Sequence, residues 1–155
     1  MERVIDVATT MTQDQSIPLH STASSVIEIV TLDDEIFMTR FIARIIKTIT
    51  PISPILSYRV HQYQNGQLVL NDLDTKLINP SLFITDIEMS PHIDAYQFIH
   101  ELYQRNRTEP VIIHSGSKVE RDSITYSGSI DIIAKPADIL EFKNLIFTSI
   151  TSPKK

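Results

Sequence analysis

The chain has 155 residues, 42% hydrophobic and 21% charged, with a formal net charge of −5 and no cysteine. That length holds one domain with a real core but not two; the missing cysteines remove disulfides and thiolate chemistry, and the acidic balance argues against a nucleic-acid surface over most of the domain. No apolar run is long enough to span a bilayer, and residues 1–25, rich in Thr, Ser, Gln and Asp, lack the layout of a secretory signal, so the expectation is a cytoplasmic protein without membrane contact.

Residues 1–25 show no sustained period and end in Ser21, Thr22, Ala23, Ser24 and Ser25, the mark of an N-terminal extension or linker. The folded domain is placed at 26–150, with 151–155 as a tail. Within it, 26–31 reads as a strand, and 35–50 as a helix with Phe37, Phe41, Ile45 and Ile49 on one face. Pro51 and Pro54 stop that helix, 56–63 is a second strand, and Asn65 with Gly66 turns the chain into a helix over 67–77. Residues 82–85 form a third strand, followed by a helix over 94–105 carrying Tyr96, Ile99 and Tyr103. A fourth strand spans 111–114 and precedes a polar helix over 118–126. Gly128 breaks that helix, 131–134 is the fifth strand, and 137–150 is the last helix, with Ile139, Phe142, Ile146 and Ile150 inward. Five strands alternating with five helices predict an α/β fold, a doubly wound five-stranded parallel sheet flanked by helices on both faces.

In such sheets chemistry collects at the carboxyl ends of the strands. Asp33, Asp34 and Glu35 follow the first strand, Asp86 the third, Ser115 ends the fourth, and Lys135 with Pro136 follows the fifth. Carboxylates gathered at one edge repel one another unless a cation joins them, and oxygen donors suit a hard divalent ion of the Mg²⁺ type. A metal so held recruits phosphate oxygens, a lysine neutralises another, and a hydroxyl hydrogen-bonds a third, which makes Asp86 a nucleophile toward phosphorus. Any one of these residues alone reads as a helix cap or a solvated charge; their shared edge is what favours chemistry. The five histidines show no paired ligand spacing, His114 and Ser115 are adjacent on a strand and point to opposite faces, and three glycines do not make a nucleotide loop.

The ordered set TLDDE (31–35), TDIEM (85–89), PVIIHSG (110–116) and IIAKPA (132–137) resembles the receiver domain of bacterial two-component response regulators, over about residues 26–150. The resemblance implies the flavodoxin-like strand order 2-1-3-4-5. It implies that Asp86 is the phosphoacceptor for a sensor histidine kinase or phosphotransfer protein. It implies further that Asp34 binds Mg²⁺ directly, Asp33 through water and Glu88 through its backbone carbonyl, alongside Asp86. Ser115 then matches the switch hydroxyl, Lys135 the phosphoryl-binding lysine, and Pro136 the residue preceded by a cis peptide bond. The implied protein is a phosphoacceptor signalling domain rather than an enzyme acting on other substrates. It acts on a downstream effector, with homodimerisation through the output face left open. Two departures stand out: Ile132 occupies the place of a switch aromatic, and the loop after Met89 runs through Ser90, Pro91, His92, Ile93, Asp94 and Ala95 with one extra residue and no glycine. They motivate an alternative, a receiver-fold docking module independent of phosphorylation. A phosphohydrolase of the haloacid dehalogenase type uses similar groups, but there the acidic pair follows the lysine, whereas Asp33 and Asp34 come first here.

Overall fold

The structure, a computed structural model, describes residues 25–51, 56–89 and 93–152. The expected N-terminal extension lies outside these except for Ser25, which opens the first strand, and so do Pro54, Ser90, Pro91, His92 and the end of the tail. The elements in chain order are β1 (Ser25–Leu32), α1 (Ile36–Lys47), β2 (Leu56–Tyr63), α2 (Gly66–Asp74), β3 (Leu82–Thr85), α3 (Ala95–Gln104), β4 (Val111–Ser115), a 3₁₀ turn (Arg121–Ser123), β5 (Ile130–Ala134) and α4 (Ile139–Thr151). All strands run parallel in the order β2-β1-β3-β4-β5.

The period of two along each strand divides the core. Val30, Leu32, Phe83, Val111 and Ile113 face α2 and α3, where Val69, Leu70, Phe98, Ile99 and Leu102 close the layer. Phe83 and Phe98 meet there edge to face, with ring centroids 5.9 Å apart. The intervening residues Ile29, Leu82, Ile84, Ile112 and Ile133 face α1 and α4, against Ile42, Ile45, Ile46, Phe142 and Ile146. Both faces of the sheet are covered, which is why β3 and β4 are buried along their whole length.

Three expectations are corrected. Four α-helices form among the described residues instead of five, because 118–126 folds as a loop with a single 3₁₀ turn. Its Ser, Asp and Thr residues compete for backbone hydrogen bonds, and of its inward residues Val119, Ile124 and Tyr126, Ile124 lies off the face that the other two would share on a helix. On α1 the buried residues are Thr39, Ile42, Ala43, Ile45 and Ile46, while Phe37 is 79% exposed and Phe41 39% exposed. A strict row of fourth residues drifts by about 40° per step on a 3.6-residue helix, so Phe37 lies about 120° from Ile49. On α4, Ile139 is exposed, and Phe142 and Ile146 carry the burial.

Register fixes what meets at the top of the sheet. Leu32 pairs with Thr85 and Ser115 with Ala134, so the residues following them emerge at one level. The ladder continues one step past the strands, with Asp86 N–H donating to the Leu32 carbonyl at 2.9 Å and Lys135 N–H to the Ser115 carbonyl at 2.8 Å.

Candidate functional site

Three acidic residues come together at this edge: one ligand oxygen each from Asp33, Asp34 and Asp86 lies within 4.8 Å of the others. Asp33 is buried to 1% exposure and held at every polar atom that matters. Its N–H donates to the Tyr63 carbonyl at 3.1 Å, Oδ1 accepts the Glu35 N–H at 2.9 Å, and Oδ2 accepts from Lys135 Nζ at 2.9 Å. Asp86 Oδ1 accepts the Ile87 N–H at 2.6 Å, and Oδ2 takes the same Lys135 ammonium at 2.9 Å. Lys135 thus bridges the carboxylates that follow β1 and β3. Asp34 is half-buried, and its backbone carbonyl accepts from Gln64 Nε2 at 2.8 Å.

The helix caps elsewhere sharpen the contrast. Asn65, Asp94 and Asp138 cap α2, α3 and α4 through their side chains, whereas α1 begins at Glu35 with no side-chain cap. Asp33 and Asp34 therefore face the sheet edge and are not spent on the third-residue amide of α1, the bland reading that either would carry alone.

Electrostatics follow from burial and the bridge. Burial pushes the Asp33 carboxyl above its ordinary value, and the hydrogen bonds from Lys135 and Glu35 pull against that without cancelling it. Burial also works against the charged form of Lys135, but the two carboxylates outweigh it and hold the ammonium above its usual range. The donor set is all oxygen, one carboxylate oxygen each from Asp33, Asp34 and Asp86, and suits a hard divalent cation. The three carboxylates, with the lysine between two of them, make the edge fit to receive a cation and a phosphoryl group together.

Ser115 is buried, and its Oγ accepts the Ser117 N–H at 3.1 Å. Ser117 in turn donates to Glu88 Oε1 at 2.7 Å, so the loops after β3 and β4 are joined beside Asp86. The Lys135–Pro136 peptide bond is cis. Ile132 lies on β5 and is 41% exposed. His114 does point away from Ser115: it is 2% exposed, packs on Phe142 with ring centroids 4.9 Å apart, and neither ring nitrogen has a hydrogen-bond partner among the described residues. Burial, then the nearby Lys135 charge, lowers its pKa to about 4. Sequence reasoning passed over Gln64 and Ser117. Each is a polar loop residue whose partner is distant in the chain, and nothing in its own neighbourhood signals that partner.

A doubly wound parallel sheet with three carboxylates, a lysine and a hydroxyl at one carboxyl edge is the class this chain defines. No family model matches it. The protein-glutamate methylesterase/protein-glutamine glutaminase of Treponema denticola is 31% identical over 133 residues, covering 83% of this chain and 33% of that protein, so the chain spans about a third of the curated relative it matches. The response regulator domain of Thermotoga maritima CheB superposes with a TM-score of 0.62 at 20% identity, covering 83% of this chain and 98% of that one. A chain of the CheX-CheY-BeF3-Mg+2 complex from Borrelia burgdorferi gives 0.65 at 15% identity, with coverages of 81% and 90%. The Francisella response regulator 1452 receiver domain gives 0.61 at 22% identity, with coverages of 79% and 95%. The chain has the receiver-domain fold of response regulators.

Proposed function

We propose that this domain is a response regulator receiver that accepts a phosphoryl group on Asp86 from a histidine kinase or phosphotransfer protein in the cytoplasm. The observation that carries the reading is the bridge of Lys135 Nζ, 2.9 Å from both Asp33 Oδ2 and Asp86 Oδ2, inside the acidic cluster. An oxygen of Asp86 attacks the phosphorus of the donor, the bond from phosphorus to the donor atom breaks, and the donor leaves with that electron pair. Asp34, Asp86 and the Glu88 carbonyl would hold Mg²⁺ directly and Asp33 would hold it through water, and the ion would supply neutralisation of charge on the transferring group when bound. Lys135 exchanges a carboxylate partner for a phosphoryl oxygen, and Ser115 turns its hydroxyl toward another. The domain acts on no other substrate; its output is a changed surface for an effector.

A second reading has its own observation. Ile132 stands where the resemblance expects an aromatic, and no helix forms between β4 and β5, so the receiver fold serves as a docking module without a phosphorylation read-out.

Intact mass after incubation with Mg²⁺ and acetyl phosphate, beside Asp86→Asn, tests the first reading. It predicts a single phosphoryl adduct that requires both the metal and Asp86. No adduct, together with no response to beryllofluoride, leaves the docking module.

A further inference from the structure

We propose that Gln64 is a positioning residue for the acidic pair, its side-chain amide orienting Asp34 for the cation; this rests on the metal-binding reading above. Asp33 and Asp34 are neighbours, but they are anchored very differently. Asp33 is fixed through its N–H, by Tyr63, and through both carboxylate oxygens, by Glu35 and Lys135. The Asp34 carbonyl lies outside the α1 ladder, because the Met38 and Thr39 N–H groups both go to the Glu35 carbonyl, at 2.9 and 3.3 Å. Gln64 Nε2 takes that carbonyl at 2.8 Å. The Asp34–Glu35 peptide is held at both ends, its N–H by Asp33 Oδ1 at 2.9 Å and its carbonyl by Gln64, and with no side-chain cap on α1 the Gln64 bond fixes the Asp34 side of that plane and, through it, the direction of the carboxylate.

Surrounding packing does not substitute for this bond. A cleft of about 440 Å³, whose walls include Thr39, Arg40, Gln62 and Gln64, opens between the start of α1 and the end of β2. Gln64 reaches the loop from the rim of that cleft, and the bond is exposed to solvent. An exposed neutral hydrogen bond contributes little to folding, whereas a residue that orients a metal ligand changes affinity by about tenfold or more. Loss of Gln64 therefore separates the two effects: metal affinity falls and the fold holds.

The test is calorimetric titration of the full chain with MgCl₂, for the natural protein, Gln64→Leu and Gln64→Glu, with melting of each metal-free protein alongside. Leu removes the donor without charge. Glu removes the donor and adds a negative charge that, acting through space alone, would tighten cation binding. Positioning predicts that both variants bind Mg²⁺ more weakly by about tenfold or more, with melting temperatures within about 2 °C of the natural protein. Tighter binding by Gln64→Glu, or Gln64→Leu within about twofold of the natural protein, overturns the proposal. So does weaker binding that tracks an equal loss of thermal stability, which would make Gln64 a purely structural residue. If the natural protein itself releases no heat with MgCl₂, the metal reading falls and takes this proposal with it, an outcome distinct from the others.

Discussion

Lys135 is set between two carboxylates, one of them almost fully buried. Removing it leaves Asp33 charged and uncompensated in the interior, a change that destabilises far more than loss of a surface pair. Lys135→Met is expected to lower stability by about 2 to 3 kcal/mol in metal-free buffer, and Asp33→Asn in the same chain to restore more than half of it, since the two residues share one interaction. The sign of the pH dependence follows from the raised Asp33 pKa: the folded state binds this proton more readily than the unfolded chain, so the Lys135→Met defect shrinks as pH falls. Urea unfolding of the single and double variants checks both points, and additive losses would show that the bridge is not a unit.

His114 gives the opposite dependence. Its folded pKa is about 4 against an ordinary 6.5, so between those values the unfolded chain binds the extra proton and stability falls with pH. His114→Leu removes that loss. The stability of the variant relative to the natural protein is expected to rise by about 2 kcal/mol from pH 7 to pH 5. At pH 7 the variant should already be slightly more stable, because two buried ring nitrogens without partners among the described residues are replaced by apolar surface. Urea midpoints that move in parallel for the two proteins would remove His114 from the acid response.

Among the elements, the segment between β4 and β5 is held by contacts at points and not by a ladder. Glu120 N–H donates to Tyr96 Oη at 2.8 Å, and Tyr126 Oη donates to the Glu109 carbonyl at 2.7 Å. Gly128 then presses the chain against the loop before β4: a methyl group there would stand 2.5 Å from the Thr108 carbonyl oxygen, while one at Gly116 would meet nothing within 4 Å. Gly128→Ala is expected to destabilise by about 2 kcal/mol, since backbone and not a flexible side chain must yield, and Gly116→Ala by less than about 0.5 kcal/mol. Equal effects in thermal melting would contradict this. The same segment shows where the sequence stops being legible. Buried parallel strands announce themselves as short apolar runs, so Asp33, Asp86, Ser115 and Lys135 could be placed at one edge before any coordinates. The 118–126 segment carries enough charged and polar residues to look like a solvated helix, and only the tertiary anchors Tyr96 and Glu109 reveal a loop. Helix α1, with Phe37, Phe41, Ile42, Ile45 and Ile46, is apolar on too many sides for periodicity to choose its inner face.

At the scale of the molecule, the acidic cluster exists only in the folded chain. Asp33 and Asp34 follow β1 and Asp86 follows β3, and β1 and β3 are neighbours only through the 2-1-3-4-5 order. An ion that binds this constellation binds the native state and not the unfolded chain, so it must raise apparent stability, by about 1.4 kcal/mol at roughly ten times its dissociation constant. Asp34 is the ligand to change in the test, because Asp33 and Asp86 also carry the Lys135 bridge. Asp34→Asn should leave metal-free stability within about 0.5 kcal/mol while abolishing the gain from MgCl₂. Sodium chloride at matched ionic strength separates site binding from general screening of a chain with net charge −5. A MgCl₂-dependent rise in the urea midpoint that NaCl does not reproduce and Asp34→Asn does not show ties the metal to the edge where β1 and β3 end. The same rise persisting in Asp34→Asn places the ion elsewhere and removes the acidic pair from the mechanism.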